Sequence, residues 1–378
     1  MSEAGVEAAA DALARTGLRD AGYVYVNLDD CWHAATRDPV TGRLRADPGR
    51  FPSGIKALGE RLRGRGLRLG LYTDRGARTC AGRPGSFGAE ALDAQTFAEW
   101  GVDYVKEDNC FSTSGPGDQP VLFQQFGAMR DALNRTGRPI FFSVCGGGGQ
   151  RPLANLSYYA TDPRGGPALA NAWRVSSDCV NWITCNYAAR VAAGLGGAAG
   201  PGGFNDPDML LGSSPGAARR LSRAQSRTQF SVWAVLMAPL LLGARLGSLD
   251  AYDVATYSNP EVLAVSQDGL RRPGLVLARR ASHTVWGRAL DGGDWALVLQ
   301  SNDVFFVSDV VCDEGCWRQL PFPAGARLHV RDLWLRGPAE KSQAIAGKPY
   351  ALSVGPRGAS RMVRLGPRRA GAGGRAEA

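Results

Sequence analysis

The sequence is short of histidine: only His33, His283 and His329 occur among its 378 residues, and none stands beside a cysteine pair. A zinc site built on ordinary Cys/His spacing is therefore not expected. Long apolar runs are missing as well. The best candidate, Phe230 to Ala244, is too short to span a bilayer and is interrupted by Pro239, so it reads as a core helix followed by a buried strand. The net charge is +9, yet the excess arginine is scattered through helix-like segments and the tail from Arg357 to Arg375, without the stripe that phosphate tracking needs. Neither a nucleic-acid nor a membrane partner is expected. Also absent is a basic start followed by an apolar block, since Met1 leads into SEAGVEAAADALARTG, which has helical periodicity.

What is present fits a folded chain. An apolar content of 44% in 378 residues allows a sizeable core in one large domain plus a smaller one. The missing leader pattern taken alone favours the cytosol, whereas eight cysteines favour an oxidising compartment. Cys80 and Cys110 follow two different predicted strands, and CDEGC places Cys312 near Cys316, a spacing that suits a short-loop disulfide as well as a metal half-site. NRT at Asn134 and NLS at Asn155 match the N-glycosylation acceptor pattern.

Along the chain, short β-branched or aromatic runs alternate with amphipathic segments. YVYVNL (Tyr23–Leu28), LRLGLY (Leu67–Tyr72), VDYVK (Val102–Lys106) and PIFFSV (Pro139–Val144) read as buried parallel strands. The Gly-terminated segments SGIKALGERLRGRG, DAQTFAEWG and QPVLFQQFGAMRDALNRTG between them read as helices. NAWRVSS and PGGFNDPDML continue the series, followed by a helix over SRAQSRTQFSVWAVLMA and an apolar PLLLGARL. Repeated units of this length indicate an α/β fold, either doubly wound or a (β/α)8 barrel. From about Pro273 the texture changes to alternating segments without long helices, as in a small antiparallel β domain. The expected division is a barrel over 1–270, a β domain over 271–366 and a disordered tail over 367–378.

Acidic residues fall at the carboxyl ends of these strands. NLDDCW supplies Asp29 and Asp30, LYTDRG supplies Tyr72 and Asp74, VKEDNC supplies Lys106 and Asp108, WRVSSD supplies Arg174 and Asp178, and FNDPDM supplies Asp206 and Asp208. Any one of these could merely cap a helix or form a turn. In a barrel all five ends converge on one face, where active sites of that fold lie. Paired carboxylates are what glycoside hydrolysis needs: one attacks or stabilises the anomeric carbon while the other protonates the leaving oxygen.

Six consecutive stretches carry a family resemblance: YVYVNLDDCW, RLRADPGRFPSGIKALGERLRGRGLRLGLYTDRGARTCAGRPGSFG, DAQTFAEWGVDYVKEDNC, ALNRTGRPIFFSVC, WRVSSD and GPGGFNDPDML. From about Gly17 to about Asp268 the chain resembles the melibiase-type α-galactosidases of glycoside hydrolase family 27, the plant and algal members more than the animal ones. The resemblance implies a retaining enzyme on a (β/α)8 TIM barrel followed by a small C-terminal antiparallel β-sandwich domain. It implies Asp108 as nucleophile and Asp178 as acid/base, Asp29 and Asp30 on the O4 and O6 hydroxyls, Lys106 on O3 and O4, and Arg174 on O2. Tyr72 and Asp208 match further pocket positions, and Cys80 and Cys110 match a disulfide beside the sugar. No metal or organic cofactor is implied, and the partner is an α-galactoside, with a homodimer as the assembly left open. The family and its disulfides imply the secretory pathway: extracellular, vacuolar or lysosomal.

Three features depart from that pattern. The family's opening strand with its GWNSW-like motif has no counterpart ahead of the first helix, so the barrel is expected to lack a strand and Cys31 to lack its usual partner. The family's CEW after the fifth strand is CGGGG here, Cys145 to Gly149, so Gly146 replaces a glutamate that contacts O2. Activity on an α-N-acetylgalactosaminide or a β-L-arabinopyranoside, or a galactose-binding relative without activity, therefore stays open. Glu107 stands where relatives often carry an aromatic, and strand alternation points it away from the pocket as a structural residue.

Overall fold

The computed structural model describes residues 1–112, 119–146, 160–215 and 219–367. Its first layer is a curled parallel sheet of six strands in chain order: β1 (Tyr25–Asn27), β2 (Arg68–Asp74), β3 (Tyr104–Asp108), β4 (Phe141–Val144), β5 (Ala172–Arg174) and β6 (Phe204–Asp206). Each strand pairs in parallel with the next, and among the described residues β1 pairs only with β2, so the sheet stays open. Helices Glu3–Arg15, Gly54–Gly64, Glu90–Glu99, Gln119–Arg135, Trp182–Gly194 and Arg223–Leu236 lie between or beside the strands. Two of their starts have side-chain caps of reciprocal form: Asn181 with Thr184, and Ser222 with Gln225, make capping boxes at the last two.

The apolar segment Pro239–Leu246 is not the strand that its composition predicts. Among the described residues a single isolated parallel bridge, Leu210 to Leu242, pairs it with the stretch after β6, through Leu210 N–H to the Leu241 carbonyl (2.8 Å) and Gly243 N–H to the Leu210 carbonyl (2.9 Å). Pro239 has no N–H to offer and, among the described residues, no second strand flanks the segment, so no ladder forms there. Across that side of the sheet the Tyr23 hydroxyl donates to the Tyr257 carbonyl at 3.0 Å, and Leu246 and Leu249 pack against the same apolar cluster as Val6, Ala10 and Leu13.

The strands after Pro273 form a six-stranded antiparallel sheet, ordered β12-β11-β14-β9-β8-β7, and a two-stranded one, β10-β13. These strands are β7 (Leu275–Arg279), β8 (His283–Ala289), β9 (Trp295–Ser301), β10 (Ser308–Cys312), β11 (Arg327–Asp332), β12 (Gly337–Ile345), β13 (Tyr350–Val354) and β14 (Ser360–Pro367). β11 alternates exposed and buried residues, as a strand with one wet face should. β9 is buried along its whole length because Ala296 and Val298 join the barrel's apolar cluster while Leu297 and Leu299 join the β domain's own. From β8, buried Arg288 donates Nη1 to the carbonyls of Ala234, Val265 and Ser266, at the carboxyl ends of two barrel helices. A disulfide joins Cys312 to Cys316, which resolves that pair against the metal half-site. Pro367 closes β14; the rest of the expected tail, like Asn155 and Gly147 to Gly149, lies outside the described residues.

Candidate active site

Strand pairing sets the site. Tyr72 lies opposite Lys106 and Asp74 opposite Asp108 in the β2–β3 ladder, and two-residue alternation puts Lys106 and Asp108 on one face of β3. The Tyr72 hydroxyl donates to Asp108 Oδ2 at 3.1 Å and the Asn109 N–H donates to Oδ1 at 2.9 Å, so both oxygens of Asp108 are held. Lys106 Nζ donates to Asp29 Oδ2 at 2.8 Å, stands 3.7 Å from Asp108 Oδ2, and lies 5.0 Å from the centre of the Tyr72 ring. The lysine's hydrogen bond thus goes to Asp29 while Asp108 receives its field.

Burial opposes the charge on Lys106, but Asp29 and Asp108 outweigh it and hold the ammonium above its usual pKa. Burial likewise opposes ionisation of Asp29, yet Lys106, the Asp30 N–H and Arg174 bring its carboxyl below the ordinary carboxylate value. Burial, then the neighbouring carboxylates, push the Tyr72 phenol far up, so it stays a hydrogen-bond donor. Asp30 accepts from the N–H groups of Cys31 (2.6 Å) and Ala81 (2.8 Å), which fastens the β1 end to the loop carrying Cys80. Cys80 and Cys110 are joined in a disulfide, and Cys80 Sγ lies 3.2 Å from the Tyr72 hydroxyl.

A second cluster forms at the ends of β5 and β6. Arg174, buried, places Nη2 3.1 Å from Asp178 Oδ1 and 3.2 Å from Asp208 Oδ2. Its Nε has no hydrogen-bond partner among the described residues. Asp208 sits at φ 78° and accepts from the Cys179 N–H at 2.7 Å, tying the Asp178 loop to the β6 end. Asp178 itself is 69% exposed, at the rim.

Sequence reasoning missed three supporting features. Asp74, although named among the acidic strand ends, is wholly buried and braces the disulfide loop, accepting from Gly76 N–H (2.7 Å) and Cys110 N–H (2.8 Å). Burial pushes its carboxyl up to about 8. A disulfide between Cys179 and Cys185 clamps the turn after Asp178; the cysteines straddle the start of a helix, a spacing that no simple rule pairs. Cys145, just past the end of β4, keeps a free thiol whose pKa is raised by burial and by Asp108, with Arg174 and Lys106 acting against them. Cys31 is free as expected, at φ 75°. Glu107 is buried with neither oxygen hydrogen-bonded among the described residues, and burial followed by the charge of Asp74 raises its carboxyl strongly. Among the described residues the one grouping of possible metal ligands is Asp74, Cys80, Asp108 and Cys110, and both of its sulfurs are consumed in the disulfide.

The geometry can be set beside known proteins. The family model described as alpha galactosidase A, Melibiase_2, matches residues 1–268. The chain belongs to this family. A probable alpha-galactosidase of Dictyostelium discoideum is 37% identical over 328 residues, covering 86% of this chain and 79% of that protein. An alpha-galactosidase of Cyamopsis tetragonoloba is 37% identical over 87% of this chain and 75% of its own length. Among solved structures, alpha-galactosidase I from Mortierella vinacea superposes with a TM-score of 0.83 at 28% identity, covering 97% of this chain and 93% of that one. The fold is that of glycoside hydrolase family 27, a TIM-barrel unit with antiparallel β-sheets, and the chain is a glycoside hydrolase of the α-galactosidase type. Membership makes a galactoside its substrate class. No helix among the described residues is long and apolar enough to cross a membrane.

Proposed function

We propose that the chain is an exo-acting α-galactosidase that retains anomeric configuration by double displacement, with Asp108 as nucleophile and Asp178 as acid/base. The observation that carries this reading is the contrast between the two carboxyl groups. Asp108 is fixed through both oxygens beside a cation, as a nucleophile requires, whereas Asp178 stands exposed at the rim, where a leaving group departs and water enters. In the first step an Asp108 oxygen bonds to the anomeric carbon, the bond to the aglycone oxygen breaks, and the proton of Asp178 passes to that oxygen. In the second, water attacks the same carbon, gives its proton to Asp178 and releases Asp108. Retention requires the two carboxyl groups to stand about 5–5.5 Å apart around the bound sugar.

Asp29 and Asp30 offer acceptors to sugar hydroxyls, Lys106 and the unpartnered Nε of Arg174 offer donors, and Asp208 orients Arg174. The Cys80–Cys110 disulfide and Tyr72 form a wall beside the nucleophile. We assign the barrel to 1–270 and the β domain to 271–366. Three disulfides favour a secreted or luminal compartment.

A second reading rests on Gly146, which follows β4 without a side chain and gives its carbonyl to Asn109 Nδ2 at 3.3 Å. The missing side chain favours a substrate that carries an acetamido group, an N-acetylgalactosaminide. Release of p-nitrophenol from the α-galactoside and the α-N-acetylgalactosaminide tests both readings, with Asp108→Asn as control. Loss of activity in the variant supports the nucleophile, and the preferred sugar decides between the substrates; a folded wild-type chain inactive on both overturns the hydrolytic assignment of these residues.

A further inference from the structure

A cleft of about 560 Å³ lies at the junction of the two apolar clusters and shares no residue with the site around Asp108. The turn between β8 and β9, Trp295 of β9, Arg272 beyond the helix Pro260–Ser266 and the segment after the short helix Glu314–Trp317 line it. Both cores reach its base: Leu290 belongs to the barrel's cluster, Trp295 and Leu320 to the β domain's. The turn is fixed. Asp291 N–H donates to Asp268 Oδ1 at 2.9 Å and Leu290 N–H to the Asp294 carbonyl at 2.8 Å, while Gly292 and Gly293, at φ 78° and 87°, take the left-handed conformation that glycine allows.

Several polar groups of this cleft have nothing to bind within the described chain. Arg272 makes neither a hydrogen bond nor an ion pair among the described residues, and the indole N–H of Trp295, a residue only 9% exposed, has no acceptor there. Asp291 binds the Gly292 N–H through Oδ1 at 2.9 Å and has Oδ2 left over. Gln319 gives Nε2 to the Leu277 carbonyl and has Oε1 left over. Arg318 Nη1 stands 3.8 Å from Glu314 Oε1, with both side chains exposed. Unused donors and unused acceptors therefore line one space over an apolar base, and a nearly buried donor without a partner costs stability unless something from outside binds it.

We propose that this cleft is a second carbohydrate site, which holds a galactose-bearing polysaccharide apart from the mouth where it is cut. The charges decide the class of ligand. Two cations, Arg272 and Arg318, stand against two anions, Asp291 and Glu314, so an anionic ligand would be opposed by Asp291 and a cationic one by Arg272. A neutral polyol uses both. Its hydroxyls donate to a carboxylate and an amide oxygen and accept from a guanidinium and an indole N–H, while the C–H faces of the sugar rest on Trp295, Leu290 and Leu320. The volume lies within the range of about 300–1,000 Å³ usual for small-molecule sites, which gather at junctions between structural units. Family membership supplies the sugar, since it makes a galactoside the substrate class; the roles of Asp108 and Asp178 do not enter. A polysaccharide tethered here presents its other galactosyl branches to the mouth at a raised effective concentration.

The test is electrophoresis of the full chain in native gels cast with galactomannan, a polysaccharide with galactosyl branches, with and without an excess of a galactose-configured iminosugar to fill the active site. The wild type is expected to be retarded in both. Arg272→Ala/Asp291→Ala should need roughly 30-fold more polymer for the same retardation, and Arg272→Ala alone roughly 10-fold more, because hydrogen bonds from charged groups are lost. Arg272 is exposed and makes no hydrogen bond or ion pair among the described residues, so R272A should keep the wild-type urea midpoint. On galactomannan both variants should show a raised KM with kcat unchanged. On p-nitrophenyl α-galactoside neither constant should move, and a failure of the hydrolytic reading shows separately, as an inactive wild type. No retardation of the wild type, retardation abolished by the iminosugar, or variants retarded as strongly as the wild type each overturn the proposal.

Discussion

Replacing Lys106 by methionine tests the electrostatics of the site most directly. Its ammonium lies 2.8 Å from Asp29 and 3.7 Å from Asp108, so one substitution removes the cation shared by two carboxylates. At an effective dielectric near 20, a unit charge pair about 4 Å apart is worth about 4 kcal/mol. Much of that is offset by the desolvation the lysine suffers and by solvent around Asp29, which is 60% exposed. Truncating one partner of such a pair typically costs about 2–5 kcal/mol, and we take about 3 kcal/mol for Lys106. At about 1.4 kcal/mol per decade, kcat/KM on p-nitrophenyl α-galactoside should fall roughly 100-fold. Asp29→Asn, which removes the negative charge from the 2.8 Å contact, should act mainly on KM. The double variant should lose less than the sum of the single losses, because each single change breaks the same bond. Circular dichroism and the melting transition would show that K106M folds. A folded K106M within threefold of wild type would refute the claim that this cation holds Asp29 and Asp108 for catalysis.

Other consequences follow from individual residues. Cys80→Ser/Cys110→Ser opens a bridge between positions 30 apart in sequence and should cost roughly 3–4 kcal/mol in urea unfolding, with lower activity because Tyr72 loses its neighbour; an unchanged urea midpoint would contradict it. Asp74 has a folded pKa raised from 3.8 to about 8, so the folded state binds more protons than the unfolded state between those values. Its contribution is therefore full below pH 3.8 and is lost as pH rises through about 8; Asp74→Asn should flatten that limb of the melting temperature against pH, and parallel limbs would refute it. Arg288→Met leaves three helix-end carbonyls without their cation and should destabilise the fold by roughly 3 kcal/mol, measured as a lower urea midpoint; equal or greater stability would show that relief of the buried charge dominates.

What was legible in the sequence was whatever one strand or helix encodes by itself. Lys106 and Asp108 are two apart, so alternation alone places them on a common face and Glu107 on the other. The Gly-marked helix ends, at Gly66, Gly101 and Gly137, were equally local. What depended on a partner was not legible. The Pro239–Leu246 run has a strand's composition, but a strand exists only where a neighbour supplies a ladder, and among the described residues Leu210 supplies a single bridge. β9 shows no alternation because the barrel covers its second face. Asp74 follows the same strand-end pattern as Asp108, yet the N–H of Gly76 in its own turn and that of Cys110 from the loop after β3 hold it inside.

The same distinction bears on how the site would divide its labour under the proposed mechanism. Residues whose position is set by strand register, Tyr72, Lys106 and Asp108, form the rigid wall against which a sugar can be held. Asp178 is set by loop contacts instead: Arg174 from β5, the Cys179 N–H bound to Asp208, and the Cys179–Cys185 bridge. A nucleophile must meet one carbon along one line, whereas an acid/base must first serve a departing oxygen and then an arriving water. Under the proposed assignment, the fixed carboxylate of Asp108 on a ladder suits the first task and the exposed one of Asp178 on a clamped loop suits the second.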